Sequence, residues 1–90
     1  MKFSWHDEKR QINLKKHGLD FAEAHKAFEG PTFTFEDHRL DYGEQRFVTM
    51  GLLNEVVVIV HTETENEIRI ISMRQANRHE QELYFKNLYG

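Results

Sequence analysis

A run of five consecutive apolar residues, Val56–Val60, restricts the folds open to this chain more than any other feature. Every residue in it is β-branched, which favours a strand over a helix. Because successive side chains of a strand point to opposite faces, both faces of this strand are apolar. We therefore expect it at the centre of a sheet, covered on both sides, or covered by helices on one side and by a partner on the other.

Segments rich in strand-forming residues occupy the middle of the chain. They are Thr32–Phe35, Gln45–Leu53, Val56–His61 and Ile68–Met73. The last three are joined by short polar connections, Asn54–Glu55 and Thr64–Asn66. Short connections predict antiparallel hairpins, so we expect an antiparallel meander sheet of about four strands.

Helix signals lie on both sides of this region. Asp7 can cap a first helix, and Gly18 stands where helices commonly end in a left-handed conformation. Asp20, with Glu23 three residues later, resembles a capping box at the start of a second helix. Asn77 can cap a last helix. The pattern therefore predicts two N-terminal helices and one C-terminal helix.

The element order predicts a small α+β domain with helices packed on the sheet. Ninety residues cannot fill two independent cores, and no linker or repeat divides the chain, so we expect one domain over residues 1–90. No stretch reaches the roughly 18 apolar residues of a membrane helix. The charged first residues and the absence of cysteine favour a cytoplasmic protein over a secreted one.

The charge is distributed unevenly along the chain, although the formal net charge is only −3. Residues 1–20 carry five Lys and Arg against three Asp and Glu, and residues 67–90 carry four against three. Residues 21–66 carry three against nine. If the two ends meet in the fold they can form a local anion site; otherwise the charges are an ordinary solvated surface.

Several common catalytic motifs are absent. The chain has no P-loop, no dinucleotide-binding glycine motif, no HExxH zinc motif and no GxSxG nucleophile motif. Its six histidines are scattered, and no two of them stand four residues apart. We therefore expect neither a metal ion nor another cofactor.

The last two strands carry the best candidates for catalysis. Strand alternation places Arg69 on one face with Ile71 and Met73, so its guanidinium must reach solvent, a carboxylate or a phosphate. His61 ends the central apolar strand, and an imidazole can transfer protons near neutral pH.

Arg74 and Glu80 follow, at the end of the last strand and near the start of the last helix. An arginine at a phosphate, a histidine and a carboxylate suffice for metal-free cleavage of RNA by its own 2′-hydroxyl. The candidate catalytic residues are therefore His61, Arg69, Arg74 and Glu80.

Each candidate also has a purely structural interpretation. Arg69 can form a cross-strand ion pair with Glu63, and Arg74 can form a salt bridge with Glu80 that ties strand to helix. His61 can be a satisfied polar residue at the end of its strand. Residue type and spacing alone leave both interpretations open.

Three segments of the chain match the motifs of one family in the correct order. The first comprises Trp5, Lys9, Asn13, Lys16–Gly18 and Phe21. The second is Glu36–Arg46, and the third is Ile68–Ala76 followed by Glu80. Together they resemble the BrnT family, the toxins of bacterial type II toxin–antitoxin pairs.

The resemblance implies a RelE-like fold and a ribonuclease that stops growth by cutting RNA. It also implies neutralisation by a BrnA-like antitoxin whose ribbon-helix-helix part binds promoter DNA, which the toxin reaches only through that partner. Arg69, Arg74 and Glu80 match the C-terminal motif. Arg46 of the second motif and Lys16 of the first are candidates for binding RNA. The alternative is a catalytically inactive module that binds the antitoxin and acts as a corepressor.

A chain of this length has a thin stability margin, because it buries only about 60 to 65% of the surface that its unfolded state exposes. The apolar central strand also needs a cover on its second face. Both features predict a permanent partner or a homodimer.

Overall fold

A single five-stranded sheet forms the centre of the protein in the computed structural model, which describes residues 1–90. The strands are β1 Lys2–Ser4, β2 Phe33–Glu36, β3 Phe47–Leu53, β4 Glu55–Glu63 and β5 Glu67–Gln75. Their order across the sheet is β1-β5-β4-β3-β2, so the apolar strand β4 is central. The predicted α+β class is confirmed, and the predicted meander corresponds to β2–β5, whose neighbours pair antiparallel.

Strand β1 is the element that sequence analysis missed, and it makes the sheet mixed. It pairs in parallel with the start of β5, with Phe3 opposite Ile68 and Ser4 opposite Arg69. Three residues are too few to show an alternating pattern. The strand is defined by its long-range pairing with β5, which no local signal reports.

Three helices accompany the sheet: α1 Asp7–His17, α2 Ala24–Glu29, which follows a 3-10 turn at Phe21–Glu23, and α3 Arg78–Tyr89. The end of α1 at Gly18 is confirmed, with φ at 71°. Its start is not as predicted: His6 is the capping position, without a side-chain hydrogen bond, and Asp7 is the first helical residue. None of these helices is long and apolar enough to cross a membrane.

The other two predicted helix starts differ in their capping. Asn77 caps α3, as predicted, and Glu80 completes a capping box that was not predicted. Asp20 accepts a hydrogen bond from the Ala22 amide, and Arg10 binds its carboxylate through two bonds of 2.7 and 2.9 Å. Asp20 therefore caps the 3-10 turn, without the reciprocal bond from Glu23 that a capping box requires.

This chain itself covers both faces of the central strand from Val56 to Ile59. On one face, Val57 and Ile59 pack with Phe21, Ala24 and Ala27. We call this side the α2 face. On the other face, Val56 and Val58 pack with Met50 and with Tyr84 of α3. We call this side the α3 face. The strand therefore requires no partner to cover it, and that argument for a homodimer no longer holds.

A β-bulge in β5 changes which residues share a face. His61 pairs with Ile70 and Val60 pairs with Ser72, which leaves Ile71 without a partner. One extra residue reverses the alternation beyond it. Met73 therefore joins the apolar cluster of the α2 face, and the prediction that it shares a face with Arg69 is wrong.

The side chain of Asn13 binds the backbone at the edge of β5, past the point where the short strand β1 ends. Its amide donates to the Met73 carbonyl at 2.8 Å and its Oδ1 accepts from the Met73 amide at 3.1 Å. The same amide group also donates to the Leu19 carbonyl. A buried side chain thus satisfies backbone groups of β5 that no strand reaches.

Candidate active site

A groove opens on the α3 face where α3 leaves the sheet uncovered. Its volume is about 550 Å³. Strands β3, β4 and β5 form its floor, and Phe35–Arg39 line one wall. Arg74 and Glu80 line the end next to α3. Charged side chains therefore surround a partly apolar floor, an arrangement typical of binding sites.

Arg74 and Glu80 form a bidentate ion pair at the end of this groove. Arg74 donates two hydrogen bonds of 2.8 Å to the two carboxylate oxygens. The backbone amide of Asn77 donates a third hydrogen bond to this carboxylate, so the capping box of α3 also orients Glu80. Hydrogen bonding from Arg74 lowers the pKa of Glu80 and raises that of Arg74. The structural interpretation of this pair is confirmed, and the pair also lines a cavity.

A second arginine, Arg39, lines the groove from a loop that is anchored by a buried carboxylate. Asp37 is 6% exposed and accepts hydrogen bonds from the Arg39 amide and guanidinium and from the Tyr42 hydroxyl. The Arg39 guanidinium holds the pKa of Asp37 well below its usual range. The charge of Arg39 also acts on Arg74, opposing the rise of its pKa. Two guanidiniums so placed favour an anion between them.

His38 lies in the same loop, and it is the only histidine that lines the groove. Its side chain is 77% exposed, and its Nε2 lies 3.7 Å from Oε1 of Glu36. Sequence analysis did not assign His38 or Arg39 to the site. Only their position inside the Glu36–Arg46 motif could have indicated them. Residues of an irregular loop follow no strand or helix period, so periodicity does not predict which of their side chains line a cavity.

Arg69 and Glu44 line a second, smaller cavity of about 310 Å³, and Arg46 pairs with the same Glu44. Arg69 donates to both Glu44 oxygens at 2.9 and 3.1 Å, so it does form an ion pair, as the structural interpretation expected, but its partner is Glu44 in a loop and not a cross-strand glutamate such as Glu63. Arg46 donates to the same carboxylate, and its guanidinium lies 4.0 Å from the centre of the Tyr42 ring. Arg69 and Arg74 lie roughly 15 Å apart along β5, too far to bind one phosphate without leaving their partners.

His61 lies on the opposite side of the sheet from the arginines. It is fully buried on the α2 face between Phe28 and Phe47, with its Nε2 2.7 Å from the Thr49 hydroxyl. Burial lowers the pKa of His61 to about 4. The structure therefore does not bring it together with Arg69, Arg74 or Glu80, and RNA cannot reach it.

Lys16 is also separate from the groove. It is an exposed residue in the last turn of α1, which packs along β5, and it lines neither cavity of the α3 face. The structure contains no group of three His, Cys, Asp or Glu side chains placed to hold a metal ion.

Comparisons with known proteins agree on one family. The model of the family described as "Ribonuclease toxin, BrnT, of type II toxin-antitoxin system" matches residues 5–80. The crystal structure of the Brucella abortus ribonuclease toxin BrnT is similar, with a TM-score of 0.69 and 30% sequence identity. The match covers 87% of this chain and 99% of that chain. A comparison with curated proteins gave no match. This chain therefore belongs to the BrnT family of ribonuclease toxins of type II toxin–antitoxin systems.

Proposed function

We propose that this ribonuclease toxin cuts RNA in the groove between Arg39 and Arg74, without a metal ion. The observation that carries the proposal is that Arg39, Arg74 and the ordered carboxylate of Glu80 line one groove. A phosphodiester between the two guanidiniums would be bound by geometry that arginine forms well with phosphate. Membership of a ribonuclease family does not favour the alternative of an inactive antitoxin-binding module.

The proposed reaction uses the 2′-hydroxyl of the RNA as nucleophile. A bond forms between this oxygen and the adjacent phosphorus, and the bond from phosphorus to the 5′-oxygen breaks. The guanidiniums stabilise the charge that develops on the phosphoryl oxygens. The products are a 2′,3′-cyclic phosphate and a 5′-hydroxyl end. Activated water is not needed for this step, so no metal-bound hydroxide is required.

Glu80 is the proposed acceptor of the 2′-hydroxyl proton. Its carboxylate stays ionised at neutral pH because hydrogen bonds from Arg74 lower its pKa. When Arg74 turns towards a phosphate, one Glu80 oxygen becomes available, while the Asn77 amide keeps the carboxylate in place. His61 has no part in this proposal because it is buried on the α2 face.

Arg69 and Arg46 are proposed to bind a neighbouring phosphate of the same RNA strand. They share Glu44, and Arg69 lines the smaller cavity, whereas Lys16 lines neither cavity. A phosphate must compete with Glu44 for these guanidiniums, so their contribution to RNA affinity is smaller than that of unpaired cations.

The test is cleavage of a mixed-sequence RNA in excess chelator by the purified toxin and by its Arg74→Ala variant. We expect new ends carrying cyclic phosphate with the wild type, and a rate lower by about 100- to 1,000-fold with the variant. Arg78→Ala is the matched control, because Arg78 is an exposed arginine at the start of α3 that pairs only with Glu82.

Arg74→Lys separates charge from geometry, because lysine keeps the charge but cannot form the bidentate contact. It should also be slow, and both variants must keep the wild-type circular dichroism spectrum. Cleavage that stops in chelator, or that proceeds equally in folded Arg74→Ala, would contradict the proposal.

As a member of a family of ribonuclease toxins of type II toxin–antitoxin systems, this protein has an antitoxin partner and RNA as its target. We further propose that the partner is a BrnA-like ribbon-helix-helix protein, that promoter DNA is contacted through this antitoxin, and that the toxin acts in the cytoplasm. The net charge of −3 supports contact with DNA through the antitoxin, because an acidic toxin has little electrostatic attraction for DNA. Self-association of the toxin remains a prediction, for which size-exclusion chromatography with light scattering is the measurement.

A further inference from the structure

We propose that His38 is the general acid of the groove, the group that protonates the leaving 5′-oxygen of the RNA. This inference rests on the proposed function, because it needs cleavage to occur at Arg74. It adds the group missing from that mechanism. Glu80 can remove a proton from the nucleophile, but an ionised carboxylate has none to give to the leaving group.

Three observations place His38 in this role. It is the only histidine that lines the groove, and it does so with Arg39, Arg74 and Glu80. Its backbone is held by its neighbour Asp37, whose buried carboxylate accepts bonds from the Arg39 amide and from Tyr42. Its imidazole is exposed, and the residue follows β2, which β3 and β4 separate from Arg74 on β5, so it can reach a bound phosphodiester from the other side of the groove.

The charged groups of the groove around His38 are Glu36, Asp37, Arg39, Arg74 and Glu80. Glu36 is nearest, with Oε1 3.7 Å from Nε2 of His38. Because Glu80 is the proposed base, the other proton transfer, to the leaving 5′-oxygen, falls to His38.

The proton balance of the step closes without a co-reactant. The 2′-hydroxyl proton passes to the Glu80 carboxylate as the new oxygen–phosphorus bond forms. The imidazolium of His38 gives a proton to the 5′-oxygen as the old bond breaks. One proton enters and one leaves the protein, and exchange with solvent returns His38 and Glu80 to their starting states.

The decisive experiment changes the leaving group. A wild-type cleavage site is mapped first, and an oligonucleotide is made with that site in two forms, the natural one and one whose 5′-oxygen is replaced by sulfur. A thiolate leaves without protonation, so it needs no general acid. His38→Gln should cut the natural form about 100-fold or more slowly than wild type, and the sulfur form at nearly the wild-type rate.

Two variants serve as controls. His6→Gln removes an exposed histidine with no side-chain capping bond and should cut both forms like wild type. Arg74→Ala should be slow on both forms, because phosphate binding does not depend on the leaving group.

Each other result is decisive against the inference. Equal slowing of both forms by His38→Gln would make His38 a base or a positioning residue. No slowing of either form would remove it from the mechanism. If Arg74→Ala cuts normally while His38→Gln shows the leaving-group effect, His38 acts in a site other than the proposed one, and the proposed function fails separately.

Discussion

At the scale of single residues, burial decides which polar side chain can react. His61 and Arg74 both lie on central strands of the sheet, but His61 is fully enclosed and Arg74 reaches an open groove. The imidazole of His61 has a hydrogen-bond partner at Nε2 and none at Nδ1, which lies 3.6 Å from Glu63. The folded protein therefore favours the neutral form of His61, because a charge in this apolar site is unfavourable.

This burial predicts how stability depends on pH. The pKa of His61 is about 4 in the folded protein against 6.5 as its ordinary value, so the unfolded chain binds the proton more readily. The stability is complete above about pH 6.5 and is lost as the pH falls towards 4, by a total on the order of 3 kcal/mol. Urea unfolding from pH 7.5 to 4.5 measures this slope.

His61→Phe is the control for that slope. Phenylalanine keeps an aromatic ring between Phe28 and Phe47 but cannot take up a proton. The variant should show a much flatter dependence on pH in this window. The paired carboxylates are the same in both proteins, so their contribution to the slope cancels in the comparison; that of Asp20, whose pKa is about 2, is lost only at lower pH. An equal slope in both proteins would contradict the assignment.

At the scale of elements, the groove exists because two segments are held at fixed distances above the sheet. The capping box fixes the first turn of α3, and Glu80 of that box orients Arg74. Asp37 fixes the loop after β2 by binding Arg39 and Tyr42. Each anchoring carboxylate therefore has a structural role and also positions a guanidinium that faces the groove.

The packing of α2 against β3 predicts that two glycine substitutions differ strongly in their effect on the free energy of unfolding. A Cβ on Gly51 would lie 3.1 Å from the Ala27 carbonyl oxygen and 3.2 Å from its Cβ. Helix α2 would have to move, so Gly51→Ala should lower the free energy of unfolding by about 1 to 3 kcal/mol.

Gly30→Ala is the matched control, because a Cβ there meets nothing within 4 Å and the backbone is extended. It should leave the urea midpoint nearly unchanged or raise it slightly, since alanine has less freedom in the unfolded chain. Equal midpoints for the two variants would mean that the contact between α2 and β3 is looser than the distances indicate.

At the scale of the whole molecule, the arginines of the groove and of the smaller cavity have internal carboxylate partners. Arg74 pairs with Glu80, Arg39 with Asp37 and Arg69 with Glu44. The field outside the protein is therefore weak, and the net charge is −3. Local geometry, and not long-range attraction, must supply the recognition of RNA.

This charge distribution predicts the outcome of promoter-binding measurements. In a mobility-shift assay at physiological salt, the toxin alone should not shift the promoter DNA of its own operon, because it neutralises few phosphates. The antitoxin should shift it, and the complex should bind with toxin present in the shifted band. A specific shift by toxin alone would contradict the proposal that DNA is contacted through the antitoxin.

The candidate site was only partly predictable from the chain. Arg74 and Glu80 stand six residues apart across one strand end and one helix start, and both belong to a motif, so their pairing was accessible. His38 and Arg39 were not assigned, because their position depends on a loop anchored by Asp37. His61 and Arg69 were expected in one site, but the structure places His61 on the α2 face and Arg69 beside a separate cavity.

The sequence by itself determined the α+β class, the central position of β4, the three helices and the family. These features follow from local periodicity, from capping residues and from motifs in a fixed order. Only the tertiary structure decided the parallel strand β1, the bulge at Ile71 and the sides of the sheet on which polar residues lie. The reason is physical: a pairing register and a one-residue bulge depend on partners distant in the chain, and either one can move a side chain from the core to an open groove.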